Sequence, residues 1–277
     1  MKKIFVIIAM LMLVLPAMYA QIDYSQKARE FLSQGDCEKA EFAYQDYKRE
    51  HPNGNAEIEA AIKRCIEEDN NDATTGTLNG HEWVDLGLPS GTKWATCNVG
   101  ASKLEEYGNY YAWGETSTKT TYDWSTYRYS NGSYDRLTKY CSKSYYGSNG
   151  FTDYLKILQS SDDAATANWG KGWRMPTRDE FEELTNNCTI TWTTLNEVNG
   201  RLFTGPNGNY IFLPAAGYRN DSELYYAGSY GYYWSSSLNT DDTDGAWYHY
   251  FNSGCYYVDD GSRSYGYTVR AVCQSQN

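Results

Sequence analysis

Residues 228–240 read "GSYGYYWSSSLNT", with three Tyr, one Trp and four Ser in thirteen positions. The same density continues through "WYHYFNSGCYYVDDGSRSYGY" at 247–267. Leu, Ile and Val are scarce after the first twenty residues, while the chain carries 28 Tyr and 9 Trp. A fold built on such a chain must take much of its buried area from aromatic rings. It is expected to be rich in short strands and loops rather than long aliphatic helices.

At 277 residues there is material for one large domain or two modest ones. The net charge of −11 makes nucleic acid a poor partner, and no basic patch is present.

The opening "MKKIFVIIAMLMLVLPAMYAQ" has a basic start, Lys2 and Lys3, and a short apolar run from Ile4 to Leu15. Pro16 and small residues follow. That pattern reads as a secretory signal peptide over 1–20, cleaved after Ala20, rather than a membrane span. Gln21 follows the site where a lipid anchor would need Cys. The chain is therefore expected to be exported, to the periplasm, the cell surface or beyond. Seven cysteines agree with an oxidising compartment. Cys37 and Cys65 share one small helical segment and can pair. Pairing among Cys97, Cys141, Cys188, Cys255 and Cys273 does not follow from spacing. With no CxxC and only His51, His81 and His249, a zinc site is not expected.

Residues 21–68 form a charged, Ala-rich block. Ala28, Phe31 and Leu32 lie at helical spacing, and Gly35-Asp36 breaks the run. Ala40, Ala43, Tyr44 and Tyr47 stripe a second helix, and Ile58, Ile62 and Ile66 a third. "FLSQGDCEKAEFAYQDY" resembles a tetratricopeptide repeat. Such units need neighbours to bury their faces, so residues 23–68 are a candidate docking module for a partner. "DNNDATTGTLNG" at 69–80 is polar and aperiodic and reads as a linker. Residues 81–273 read as one α+β domain, with a short tail over 274–277.

Within that domain "HEWVDLGLPSGTKWATCNVGA" predicts an opening hairpin and "EYGNYYAWGE" a short strand. Residues 115–150 predict a long irregular loop, and "DDAATANWG" a short helix. Thr177 with Glu180 makes a capping box for the next helix. Three strands follow, "TITWTTLN", "GRLFTG" and "NYIFLPAAGYR", the last two joined at Asn207-Gly208.

Six segments, "WVDLGLPSGTKWATCNVGA", "YAWGE", "NWGKGWRMPTRDEFEEL", "LPAAGYR", "GYYWSSS" and "YTVRAV", occur in an order that resembles the Fibrobacter-succinogenes-type major paralogous domain. That domain is similar to C-type-lectin-like folds, including formylglycine-generating enzymes and the variable proteins of diversity-generating retroelements. The resemblance implies a twisted antiparallel sheet flanked by two helices, with framework motifs and variable segments displayed between them.

The chemistries known on that fold find little here. The Glu-Pro-Asn, Gln-Pro-Asp and Trp-Asn-Asp triplets of calcium-dependent sugar binding are absent. No cofactor is expected; "DDTD" at 241–244 and the pair at 259–260 are the candidates for calcium, though such runs are more often solvated acids. Cys255 and Cys273 are far apart for the oxidase-like chemistry. His249 shares a strand face with Trp247 and Phe251 and reads as a packed residue, not a general base. No catalytic constellation is found.

Tyr supplies wide, stiff contact area, and Ser, Gly and Asn supply adaptable hydrogen bonding, as in evolved paratopes. Along "AWYHYFN" the set Trp247, His249 and Phe251 is assigned to the core, and Tyr248, Tyr250 and Asn252 to display. Further display candidates are Tyr225, Tyr226, Tyr230, Tyr232, Asn239, Asp241, Tyr256, Tyr257, Asp259, Asp260, Ser264 and Tyr265. The same enrichment suits adenine-directed diversification by a retroelement. Arg219, Arg263 and Arg270 are expected to be buried supports bonded to loop carbonyls. The expected function is a non-enzymatic, exported protein binding a protein or glycan on another cell or surface. A surface-assembly or adhesion subunit is the second reading, and a formylglycine-generating-type enzyme the third.

Overall fold

The computed structural model describes residues 23–72 and 74–274, without the side chains of 67–72. The expected signal peptide lies outside the described residues. The chain divides between residues 73 and 74 into two compact units.

The described residues of the first unit form three helices: α1 (Tyr24–Ser33), α2 (Cys37–Glu50) and α3 (Ala56–Asp72). Each starts where a polar side chain can satisfy free backbone N–H groups. Asp23 accepts from Ser25 and Gln26, Asp36 from Lys39, and Asn55 from Glu57 and Ile58. The helical stripes meet as the spacing predicts. Ala28, Ala40, Ala43, Tyr44, Ile58 and Ile62 are buried together, with Phe31, Leu32, Tyr47 and Ile66 packed at the edge. Small residues at Ala28, Ala40 and Ala43 let the helix backbones approach closely. A Cys37–Cys65 disulfide, with Cα atoms 5.6 Å apart, ties the start of α2 to α3.

The polar stretch 69–80 is not a linker throughout. Its first residues continue α3 to Asp72, and Thr75–Leu78 forms strand β1. Asn79 (φ 50°) and Gly80 (φ 81°) then turn the chain into β2 (His81–Asp85), which pairs antiparallel with β1. Two residues at positive φ are what a tight hairpin requires. Polarity had masked the Asn-Gly signal.

The second unit mixes helix and sheet, all its named strand pairs being antiparallel, and includes a sheet curled into a half-barrel. Its five-stranded sheet has the order β1-β2-β3-β13-β4, where β3 is Lys93–Asn98, β4 Trp173–Arg174 and β13 Arg270–Cys273. The last strand of the chain thus sits between early ones. Helices α4 (Ala164–Trp169) and α5 (Arg178–Asn187) flank β4 in sequence. Thr177 and Glu180 complete the capping box of α5, and Asp163 caps α4. A three-stranded sheet, β5 (Thr189–Leu195), β6 (Val198–Thr204) and β7 (Tyr210–Pro214), follows, then a ribbon of β8 (Tyr218–Asn220) and β9 (Glu223–Tyr225). Strands β10 (Gly231–Leu238), β11 (Gly245–Phe251) and β12 (Tyr256–Ser262) form the last sheet.

Two cores result. One gathers Trp113, Trp169, Trp173, Trp234 and several tyrosines; the other gathers Leu86, Trp94, Phe181, Phe203, Leu213, Tyr233 and Phe251. Adjacent residues of β10, Tyr233 and Trp234, enter different cores, because successive strand side chains point to opposite faces.

The stretch "EYGNYYAWGE" forms no strand, only an isolated bridge from Tyr111 to Tyr267. Residues 115–147 have no helix or regular strand, yet Tyr122, Tyr127, Leu137 and Tyr140 are buried. Arg263 holds this loop. Its fully buried guanidinium donates to the carbonyls of Lys139 (3.0 Å), Tyr140 (2.9 Å) and Thr243 (2.9 Å) and to the Tyr127 hydroxyl (2.9 Å). Arg270 does the same for the sheet, donating to Ala95, Phe212 and Asn98. Arg219 differs from the expectation: it is half-buried, and its guanidinium lies over the Tyr110 ring rather than on a loop carbonyl.

Candidate functional site

The register of β10, β11 and β12 sorts the aromatic residues. Tyr232 faces Tyr250, Trp234 faces Tyr248, Tyr250 faces Tyr257, and Tyr248 faces Asp259. Partners across an antiparallel ladder share a side, so these residues line one face of the sheet. The other face carries Tyr233, His249, Phe251 and Val258 into the core, against Phe181 and Phe203. His249 stacks on Phe181 with centroids 5.3 Å apart, and burial pushes its pKa down to about 3, so it stays neutral. Trp247, on the same side, is only half-buried and is covered by the Arg178 guanidinium, 3.8 Å from its ring centroid.

The first face is extended by loops. Tyr218 packs against Tyr225, Tyr226, Tyr232, Tyr265 and Tyr267; Tyr226 meets Tyr230, and Tyr230 meets Tyr250. With Tyr248 and Tyr257 this makes a continuous surface of ten tyrosines, its linking ring contacts spanning 4.8 to 6.4 Å. Offset and edge-on ring pairs of this kind add to simple area burial. Tyr267, stacked on Trp234, and Tyr248, edge-on to both, form the floor. Tyr225 (39 % exposed), Tyr226 (54 %) and Tyr257 (45 %) form the open part. The rest are half-buried.

Burial raises the hydroxyl pKa of Tyr218, Tyr232, Tyr248 and Tyr267, with neighbouring tyrosines adding to it and Asp259 acting on Tyr248. These groups therefore stay protonated. No other described residue hydrogen-bonds the hydroxyls of Tyr218, Tyr232 or Tyr248, and none of the three is sealed from water. Gly231 keeps the sheet close to its neighbours: a Cβ there would come 2.1 Å from the Phe251 ring.

Of the expected display residues, Tyr225, Tyr226, Tyr230, Tyr232, Tyr250, Tyr257, Tyr265 and Asp259 belong to this surface. Tyr248 is on the same face but is buried as its floor. Tyr256 lies on the opposite side of β12, its ring 4.7 Å from the Arg201 guanidinium. Asp260 is also on that side, facing Trp247. Asn239 is buried and its Oδ1 accepts from the backbone of Asp241 and Asp242, while Asp241 is exposed beside Lys143. Asn252 is spent on its own turn, accepting from Gly254 and Cys255 and donating to the Tyr250 hydroxyl. Ser264 is buried, paired with Ser262 at 3.0 Å. Tyr218, in the "GYR" motif read as framework, and Tyr267, just before the "VRAV" framework motif and not among the expected display residues, are central to the surface.

The acidic runs do not converge. Asp259 and Asp260 point to opposite sides of β12, and Asp242 accepts from the Tyr146 hydroxyl. Asp244 is pushed up to about 6, by burial first and then by Asp242. No group of three or more His, Cys, Asp or Glu among the described residues is arranged to hold a metal ion. Cys255 is exposed in the β11–β12 turn and Cys273 is buried in β13; both are free thiols. No described helix is long and apolar enough to cross a membrane.

A family model described as a domain of unknown function (DUF8237) matches residues 189–272, which span β5 to β13 and hold the whole tyrosine surface. No curated protein and no solved structure matches the chain.

Proposed function

We propose that the chain is a binding protein that takes a protein or glycan ligand on the tyrosine surface. The observation that carries this is the surface itself. Ten rings are linked, two of them buried as the floor, with hydroxyls that no other described residue engages at Tyr218 and Tyr232. A protein gains little by leaving Tyr225, Tyr226 and Tyr257 in water unless something covers them. Rings held by their neighbours lose little freedom on binding, which favours affinity.

The scaffold reading is C-type-lectin-like. Its support is the placement of β13 between β3 and β4 and the long irregular insertion before α4, held by Arg263. Export is part of the same proposal and is supported by the Cys37–Cys65 disulfide, a bond rarely kept in reducing compartments.

The test is an array of glycans and cell-surface proteins, probed with the chain and with a triple variant, Tyr225→Ala, Tyr226→Ala and Tyr257→Ala. Ligands retained by the native chain and lost by the variant support the site. Ligands held equally by both place binding elsewhere.

A further inference from the structure

We infer that the tyrosine surface takes a cationic occupant: a lysine- or arginine-rich segment of a partner protein, held by cation–π contact and by the carboxylates beside it. The inference rests on the reading of that surface as the ligand site and names the chemistry of what fills it.

The distribution of cations carries it. Elsewhere this chain repeatedly places its own Lys and Arg over aromatic rings. Lys93 lies 5.0 Å from the Trp83 centroid, Arg263 4.9 Å from Trp113, and Arg201 4.7 Å from Tyr256. Among the described residues, no ring of the tyrosine surface has such a partner. Even Arg219, the neighbour of Tyr218 in β8, lies over Tyr110 instead, at 5.2 Å. Each ring face is negative and attracts a cation.

Acids border the same surface without cations to match. Asp259 shares its side of β12 with Tyr257 and faces Tyr248. Glu223 lies two residues before Tyr225 in β9, hence on the same side of the ribbon, and Asp221 occupies the ribbon's turn. Asp259, Glu223 and Asp221 form no salt bridge with a described residue, unlike Asp85 with Lys93 or Asp162 with Lys139. The charged side chains that act on the hydroxyls of Tyr248 and Tyr257 are acids, Asp259 on both and Asp260 on Tyr248.

The width of the surface favours a protein segment over a lone amine. A path of ring contacts runs from Tyr225 through Tyr218, Tyr232 and Tyr250 to Tyr257. One ammonium covers one ring, whereas a chain with repeated cations covers several.

The probes are a peptide of alternating lysine and glycine, the same peptide with every lysine acetylated, and the same peptide with glutamate for lysine. Each is titrated calorimetrically onto the full chain. The lysine peptide should bind at least about tenfold more tightly than its acetylated form. Tyr225→Ala/Tyr226→Ala/Tyr257→Ala should weaken it by about tenfold, and the matching triple Phe variant by no more than about twofold, since Phe keeps the ring. Neither variant changes the net charge, so bulk attraction to an acidic protein is held constant. The inference falls if the lysine peptide gives no measurable binding, if acetylation makes no difference, or if the Ala triple binds as well as the native chain. Array ligands that are uncharged or acidic, yet lost in the Ala triple, would sink the cationic occupant and leave the site standing. Array ligands unaffected by the Ala triple would sink the site itself.

Discussion

The ring of Tyr218 stands edge-on to that of Tyr232, with centroids 4.9 Å apart, although the first belongs to the β8–β9 ribbon and the second to the β10–β12 sheet. This contact joins the loop-borne tyrosines to the sheet-borne ones. A second link runs through Tyr226, Tyr230 and Tyr250.

Tyr218→Ala is therefore expected to loosen the ribbon, to cost about 2–3 kcal/mol of stability, and to weaken binding even of ligands centred on Tyr250 and Tyr257. Tyr218→Phe should change stability by less than about 0.5 kcal/mol, because the hydroxyl has no partner among the described residues. Urea unfolding and the array binding of both variants check this. A destabilised Phe variant would mean that the hydroxyl, not the ring, holds the ribbon.

Arg263 makes the corresponding prediction for the long loop. Its donors are shared between Tyr127, Lys139, Tyr140 and Thr243, all from elements with no regular ladder of their own. Arg263→Ala leaves those acceptors unpaired and opens a cavity beside Trp113, at a cost of about 3–5 kcal/mol. Arg263→Lys keeps the charge but cannot reach four acceptors in one plane, and should recover less than half of that. Hydrogen exchange of residues 115–147 should rise in both variants, well before the five-stranded sheet is affected.

What was legible in the sequence was whatever local period controls. The stripes of Ala28, Ala40 and Ile58, the Thr177–Glu180 box and the alternation placing His249 and Phe251 opposite Tyr248 and Tyr250 all depend on neighbours within a few residues. What was not legible depends on register between distant strands. Tyr248 sits on the anticipated face, but only the arrival of Tyr232 and Tyr267 buries it. Tyr256 and Tyr257 are adjacent and look alike, yet one turns to Arg201 and the other to Tyr250. Tyr218 looked like framework because its five ring partners come from three separate segments. Asn239 and Ser264 have display-like chemistry but use it on their own turns, which composition does not reveal.

The helical unit gives an independent prediction. Its core is small, so the Cys37–Cys65 bridge, closing a separation of 28 residues, should supply about 3 kcal/mol. A Cys37→Ser/Cys65→Ser variant, or mild reductant, should lower the helical unfolding transition followed by far-ultraviolet circular dichroism. The aromatic signal of the second unit should keep its midpoint. A single transition that moves as a whole would show that the two units unfold together.

His249 sets a pH dependence whose sign can be worked out. The imidazole is fully buried between Phe181 and Phe203, neither ring nitrogen has a partner among the described residues, and its pKa falls to about 3 through burial. Unfolded, it would titrate near about 6.5. Below that pH the unfolded chain binds a proton that the folded chain refuses, so unfolding is favoured as pH falls from about 6.5 toward 3. The stabilisation is complete above the unfolded pKa and is lost through that window at about 1.4 kcal/mol per pH unit. Between pH 7 and pH 5 the native chain should thus lose about 2 kcal/mol that His249→Leu does not lose. Urea titrations of both proteins at the two pH values measure the difference directly, since the carboxylates common to both cancel. Parallel losses in the two proteins would mean that the folded state admits the proton, through water reaching the ring or through a rotation that gives its nitrogens a partner.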